Sequence, residues 1–303
     1  MWEKIVECVP NVSEGRNQET IHAIAAALRR VPEIRVLDVE FDPDHNRSVF
    51  TFAGTPEGVK EAVFALFQEA LPRIDLRSHK GEHPRMGAVD VVPFVPVRGV
   101  TMEDCIALSR EVGQGIWERF RVPVYLYANS ATKPEREDLA AIRKGEFEGF
   151  FEKIKDPAWA PDFGEPKVHP TAGVVAVGAR EFLIAYNVYL NTNDVRIAKA
   201  IAKAIRGSSG GLRYVKALGF EIKERGLVQV SMNLTNYKKT PIPRVLELIR
   251  REAARYGVSV VESEIVGLVP QGALDQVVEY YLQLPRLEPR MVFERRLQEA
   301  LKE

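Results

Sequence analysis

The densest set of titratable groups in the chain lies in ten residues, Ser78-His79-Lys80-Gly81-Glu82-His83-Pro84-Arg85-Met86-Gly87. Two of the five histidines, one carboxylate, two cations and two glycines share this stretch. An apolar run follows directly, Ala88-Val89-Asp90-Val91-Val92-Pro93-Phe94. A polar, glycine-hinged loop on the end of a buried strand is a common way to present a site on a rigid scaffold. Two chemistries fit paired histidines. His79 and His83 are four apart, the spacing by which a helical HExxH segment turns both rings to one metal. Gly81 between them and Pro84 after His83 argue against that helix, and no cysteine lies nearby to complete a soft site. No metal is expected. The other chemistry is proton transfer, because an imidazole titrates near neutral pH. Glu82 and Asp90 are carboxylates that could orient a ring, and Arg85, Arg77 and Lys80 could hold an anion. A loop whose histidines only bond to backbone stays open beside it.

Other polar clusters sit at turns. Asn11, Ser13 and Glu14 follow one strand end, and Asp42, His45, Asn46 and Arg47 fill another turn. Each is a plain turn by default, although loops at one edge of a sheet can converge. Gly207, Gly210 and Gly211 are not followed by the Lys-Ser or Lys-Thr of a phosphate loop, and no GxGxxG occurs, so no nucleotide is expected. Cys8 and Cys105 lie among apolar neighbours and read as small buried hydrophobes.

Hydrophobic and turn patterning supplies the elements that hold these groups. In the first half Lys4–Pro10 reads as a strand, Gln18–Val31 as a helix, and Ile34–Glu40 and Arg47–Ala53 as strands. A helix follows, capped by Thr55 with Pro56 in its first position, and then the strand from Val89. A helix enters through Thr101, and Val122–Tyr127 is a strand. Ser130–Pro170 is a long elaborated connection, a kind of segment that often carries function. In the second half Phe182–Leu190, a helix from Asn193 or Asp194, strands Leu212–Lys223 and Leu227–Leu234, a helix Pro243–Tyr256 and a strand Val258–Val269 follow. A last helix starts near Gly272. Both halves therefore give the order β-α-β-β-α-β. The expected fold is α+β, two ferredoxin-like subdomains with a ligand groove between them. Residues 1–178 would form the first and 179–303 the second.

Composition narrows the partners. Of 303 residues, 46% are hydrophobic and 28% charged, enough apolar material for substantial cores. Lys and Arg (42) balance Asp and Glu (42), which argues against a nucleic acid as the main partner. No apolar stretch is long enough to span a bilayer and no secretory leader is apparent, so no membrane is expected and a cytoplasmic location is.

Several motifs resemble those of the glutamate formiminotransferase family. They include Glu7-Cys8-Val9-Pro10-Asn11-Val12-Ser13-Glu14-Gly15 and the block from His79 to Asp90, continued through Pro93-Phe94-Val95-Pro96-Val97-Arg98-Gly99-Val100. Trp159-Ala160-Pro161-Asp162-Phe163-Gly164, Gln229-Val230-Ser231-Met232-Asn233-Leu234 and Val266-Gly267-Leu268-Val269-Pro270 add to it. The resemblance covers nearly the whole chain. It implies transfer of the formimino group of N-formimino-L-glutamate to N5 of tetrahydrofolate, in histidine degradation. It also implies two ferredoxin-like subdomains and a homodimer, with tetrahydrofolate as co-substrate. It implies His83 as the catalytic acid–base residue, with His79 and Glu40 in support. Folate would be bound by Gly164, Glu165, Pro166, Lys167, Val168, His169, Pro170, Thr171, Ala172 and Gly173. Arg85, Asn11 and Arg47 are expected to bind substrate. Glu40 stands where the family commonly has Asp, and Thr171-Ala172 where it often has Ser-Trp. The animal enzyme carries a cyclodeaminase domain after this region; this chain would carry the transferase alone. The alternatives are formyl transfer or 5-formyltetrahydrofolate turnover, or a folate-binding protein without turnover.

Overall fold

A computed structural model describes residues 2–301. The fold is α+β, in two compact units that divide at Arg180/Glu181.

In the first unit, β1 (Ile5–Cys8) and β2 (Asn11–Val12) lead to α1 (Gln18–Arg29), β3 (Ile34–Asp42), β4 (Arg47–Gly54), α2 (Pro56–Ala70) and β5 (Val89–Arg98). Then come α3 (Met102–Phe120), β6 (Val124–Ala128), α4 (Leu139–Arg143), α5 (Glu146–Lys153) and β7 (Val175–Ala179). All seven strands form one sheet. β1 and β2 lie in line between β4 and β5, antiparallel to both. β3 pairs with β4 outside them, while β7 and then β6 extend the sheet in parallel beyond β5. The apolar run Val175–Ala179 is thus an inner strand, buried along its length.

Local chemistry starts the helices where the sequence signals them. Asn17 caps α1 by accepting the Thr20 N–H at 3.1 Å. Thr55 caps α2, with Pro56 in the first turn. Thr101 and Asp104 form a reciprocal capping box on α3. α1, α2 and α3 bury one face of the sheet in a core built on Ile21, Ile24, Leu28, Val63, Leu66, Phe67, Val112 and Ile116 with Phe50, Phe52, Val92 and Phe94. The long connection is no loose excursion. Its Ile142, Phe147, Phe150 and Ile154 pack with Val91, Tyr125, Tyr127 and Ala176 in a separate cluster. The buried pair Arg136–Asp162 (2.7 Å) ties it to the sheet, because Asp162 also accepts the Leu126 N–H.

The second unit runs β8 (Ile184–Leu190), α6 (Val195–Ile205), β9 (Val215–Ile222), β10 (Leu227–Leu234), α7 (Ile242–Ala254), β11 (Val260–Val266), α8 (Gln271–Tyr281) and α9 (Phe293–Ala300). Its sheet has the order β11-β8-β10-β9, and every pair is antiparallel. β8 alternates buried and half-buried residues, the period of a strand covered on one face. Ile201, Ile205, Val245 and Ile249 of the helices cover that face. Among the described residues, no helix is long and apolar enough to cross a membrane.

Candidate active site

Three loops meet at one end of the first sheet: residues 13–17 after β2, the turn 43–46 between β3 and β4, and the histidine loop 77–88 before β5. The strand register brings them there. Arg47 opposes Asp42 at the β3–β4 turn, and Asn11 lies between Val49 and Val91. The loops touch backbone to backbone. A Cβ at Gly15 would overlap the Asp42 carbonyl and Arg47 amide, and one at Gly81 would overlap the His45 carbonyl. Only glycine allows that approach.

Asn46 is the tie. It sits in the left-handed region (φ 50°), which Asn tolerates. Its Oδ1 accepts the Gly15 N–H at 2.9 Å, its Nδ2 donates to the Lys80 carbonyl at 3.0 Å, and its own carbonyl accepts from His79 Nε2 at 2.8 Å. One buried residue thereby binds all three loops.

A shallow recess between the loops is lined by Val12, Ser13, His45, Asn46, Arg47, His79, His83, Arg85 and Asp90. Beside it, sharing Ser13, Asn46 and His79, lies a cleft of about 210 Å³. His83, half-buried, makes no hydrogen bond to any described residue; its ring stands edge-on to His45, with centroids 6.3 Å apart. Burial, then the charges of Arg47 and Arg143, push its pKa down to about 3, against a smaller opposing pull from Asp90. It is therefore a neutral ring, and neither nitrogen has a partner among the described residues.

His79 is held on both sides. Its Nε2 faces the Asn46 carbonyl, which can only accept, and its Nδ1 receives the Arg85 Nε–H at 3.3 Å. The ring is fixed as the neutral Nε2–H tautomer. Burial lowers its pKa as well.

Arg85 does not stand free for a substrate. It is 8% exposed, and each guanidinium nitrogen donates within the protein. Nη1 reaches Glu146 (3.0 Å) and Glu148 (2.8 Å), Nη2 reaches Glu148 (2.7 Å) and the His79 carbonyl (3.2 Å), and Nε reaches His79. Its fork locks the histidine loop to α5. The carboxylates that claim it come from the long connection, beyond the reach of any local pattern.

Asp90, 3% exposed, accepts the Met86 N–H at 2.8 Å with Oδ1 and the Arg143 fork with Oδ2, at 2.8 Å to Nε. Arg47 differs from both other arginines. It is largely buried, its Nε has no hydrogen-bond partner, and burial followed by repulsion from Arg143 pulls its pKa down to about 10. It stays charged at neutral pH.

The remaining expected residues fall as follows. Glu40 lies on β3 opposite Val49, and its charge acts on Arg47; the carboxylate acting most strongly on His83 is Asp90. Asn11 is buried and donates to the Val9 carbonyl at 3.0 Å, while its neighbours Val12 and Ser13 line the recess. Of the segment 164–173, none lines the recess, but its end is sewn around the histidine loop. Leu76 N–H donates to the Thr171 carbonyl and Ala88 N–H to the Ala172 carbonyl, both at 2.9 Å. His169 Nδ1 accepts the Ala172 N–H at 3.0 Å, closing the turn. Glu165, Pro166, Lys167 and Pro170 are exposed, whereas Val168 and Ala172 are buried. His45 and Asn46 join the site although the sequence marks them as an ordinary turn, and Arg143, from the long connection, reaches Asp90.

Among the described residues, no group of three or more His, Cys, Asp or Glu is placed to hold a metal ion. What the arrangement offers is an unpartnered neutral imidazole, an under-bonded buried cation and an adjoining cleft: equipment for proton transfer on an anionic substrate.

The chain is 52% identical to a glutamate formimidoyltransferase of Thermoplasma acidophilum and 50% identical to one of Streptococcus pyogenes. It covers 98% and 94% of those proteins, which cover 98% and 93% of it. It is 45% identical to the formimidoyltransferase-cyclodeaminase of Rattus norvegicus over 94% of its own length, and spans 53% of that protein. Residues 5–180 match the family described as formiminotransferase domain, N-terminal subdomain, and residues 185–300 match formiminotransferase domain. The chain belongs to the formiminotransferase family.

Proposed function

We propose that this chain is a glutamate formimidoyltransferase, with His83 as its proton carrier. The carrying observation is the His83 ring: half-buried, without a hydrogen bond to any described residue, and lining one recess with Arg47 and Asp90. In the reaction N5 of tetrahydrofolate attacks the formimino carbon. A bond from N5 to that carbon forms, and the bond from the carbon to the glutamate nitrogen breaks. N5 loses a proton and the departing nitrogen gains one, so a single imidazole closes the balance by taking the first and returning it. Arg47, a charged residue on the recess wall, holds a substrate carboxylate, and Arg85 and Asn46 keep the loops rigid around the ring. Tetrahydrofolate is the co-substrate, with 164–173 as its binding segment. Glu165, Pro166, Lys167 and Pro170 are the outward-facing part of it, and the backbone ties of Thr171 and Ala172 transmit its position to the histidine loop. The order β11-β8-β10-β9 with two helices on one face supports the ferredoxin-like reading of the second unit. A homodimer belongs to the same reading and is checked by sedimentation.

The test is a donor panel with tetrahydrofolate as acceptor. N-formimino-L-glutamate should be consumed and N-formyl-L-glutamate spared, because the two differ by one NH against one oxygen, which a hydrogen-bonding site resolves. Preferential use of the formyl donor, or folate binding with neither donor consumed, overturns the assignment.

A further inference from the structure

The recess lined by His83 is too tight for a water-sized molecule; the room lies beside it. The cleft of about 210 Å³ shares Ser13, Asn46 and His79 with the recess and continues past Glu14, Arg16, Ile74 and Asp75. Ile74, 4% exposed, gives it an apolar wall. Two of its charged residues are answered within the protein: Arg73 pairs with Glu69 at 3.0 Å, and Arg77 holds Asp75, at 2.6 Å from Nη2 to Oδ2. The other two are not. Glu14 Oε1 accepts the Arg16 and Asn17 N–H groups, both at 2.8 Å, while Oε2 bonds to no described residue. Arg16 is anchored by Nε, which donates to the Pro43 carbonyl at 2.8 Å, while Nη1 and Nη2 bond to no described residue. Arg16 is exposed, so its fork can be reached. A guanidinium fixed at one nitrogen with the others open is pre-organised for a carboxylate.

N-formimino-L-glutamate carries both signs of charge. Its formimino group is an amidine, protonated at neutral pH, and methylene groups separate its side-chain carboxylate from it. We propose that the cleft holds this donor, with Arg16 taking the side-chain carboxylate, Ile74 against the methylene groups and Glu14 answering the formimino charge. This rests on the reaction assigned above. A second glutamate belongs to that chemistry, the one in folate, but its carboxylates lie across the aminobenzoyl ring from N5. Those of the donor lie within a few bonds of the nitrogen that His83 serves. A cleft that shares its wall with the His83 recess therefore suits the donor's glutamate. The donor's other carboxylate, next to the reacting nitrogen, falls to Arg47 on the recess wall. Glu14 makes the cleft selective. N-formyl-L-glutamate has the same carboxylates and no positive charge, so it gains Arg16 and leaves Glu14 unanswered.

The experiment uses the full chain, with donor and tetrahydrofolate varied separately in steady-state kinetics and calorimetric binding of N-acetyl-L-glutamate and its dimethyl ester. Arg16→Gln should raise the donor KM on the order of ten- to a hundredfold, with the folate KM unchanged, and Arg16→Lys should restore part of it. The same variant should weaken N-acetyl-L-glutamate by a similar factor and leave the diester as it was. Glu14→Gln, which keeps an acceptor for the two backbone N–H groups, should reduce the kcat/KM preference for the formimino over the formyl donor on the order of tenfold. A wild-type donor KM in Arg16→Gln, an equal rise in both KM values, or an unchanged preference in Glu14→Gln overturns the proposal. Should Arg16→Gln not fold, Ser78→Trp, at an exposed position on the cleft wall, decides it: crowding the cleft should raise the donor KM alone. Formimino transfer with N-acetyl-L-glutamate binding indifferent to Arg16 sinks the seat and leaves the reaction standing. Binding that needs Arg16 in an enzyme that transfers neither group does the reverse.

Discussion

The two units are built from similar elements and differ in where they keep polar groups. In the second, the buried side chains are almost all apolar, and Thr240 is the one buried polar residue among those described. In the first, Asn11, Ser13, Asn46, Ser48, Arg85 and Asp90 are buried at one end of the sheet. Burying such groups costs free energy unless each is paired. The first unit accepts the cost at that end, with every partner supplied except at Arg47 Nε and Ser48 Oγ, whereas the second buries few polar groups and leaves Gln276 Oε1 without a partner. The contrast teaches where to look: a fold that hides polar groups at one end of one sheet is holding a site there.

The comparison can be broken first at His83. His83→Ala should lower kcat by roughly a hundredfold to ten-thousandfold with both substrates saturating, while the melting temperature stays near wild type. Unchanged turnover would remove the proton carrier from the first unit and the main distinction between the two. Asp162→Ala leaves Arg136 buried without its carboxylate and should cost about 3–5 kcal/mol in urea unfolding. A matching truncation in the second unit, Ile249→Ala, should cost about 2–5 kcal/mol through a cavity alone. If Asp162→Ala proves the milder, the polar scaffold of the first unit is less strained than its burial suggests.

A pH series sharpens the same contrast. The folded-state pKa of His83 lies below the ordinary value, so between about pH 6.5 and pH 3 the unfolded chain binds the extra proton. Stability therefore falls as pH drops through that window, and His79 and His169, lowered by burial, act with the same sign. His83→Asn should show a shallower loss of melting temperature from pH 6.5 to about 5. An unaltered slope would place the acid sensitivity elsewhere. The smallest effect belongs to ordinary scaffold: Thr101→Ala removes a capping box far from the histidines and should cost about 1 kcal/mol without touching kcat.

Much of the scaffold is legible because its signals are local. Asn17, Thr55, Thr101 and Asp194 start helices by bonding to amides two or three residues on, a relation written in the sequence itself. The strands of the second unit alternate with a period that needs no knowledge of their neighbours. Val175–Ala179 escapes such a reading because a run buried on both faces has no alternation. Within the site, the histidine loop announces itself by composition and by family resemblance. The structural role of Arg85 is hidden because its partners, Glu146 and Glu148, lie more than sixty residues on.

The sequence by itself determined most of the elements, several of their caps and the family, since each depends on periodicity, side-chain type or long matching motifs. Only the tertiary structure decided which arginine is satisfied and which is not. Arg47, Arg85 and Arg143 carry the same charge and the same donors. The sheet register and the folded connection gave Arg85 two carboxylates, gave Arg143 the carboxylate of Asp90, and left Arg47 Nε without a partner. Pairing of charges is a property of non-local neighbours, and no spacing along the chain encodes it.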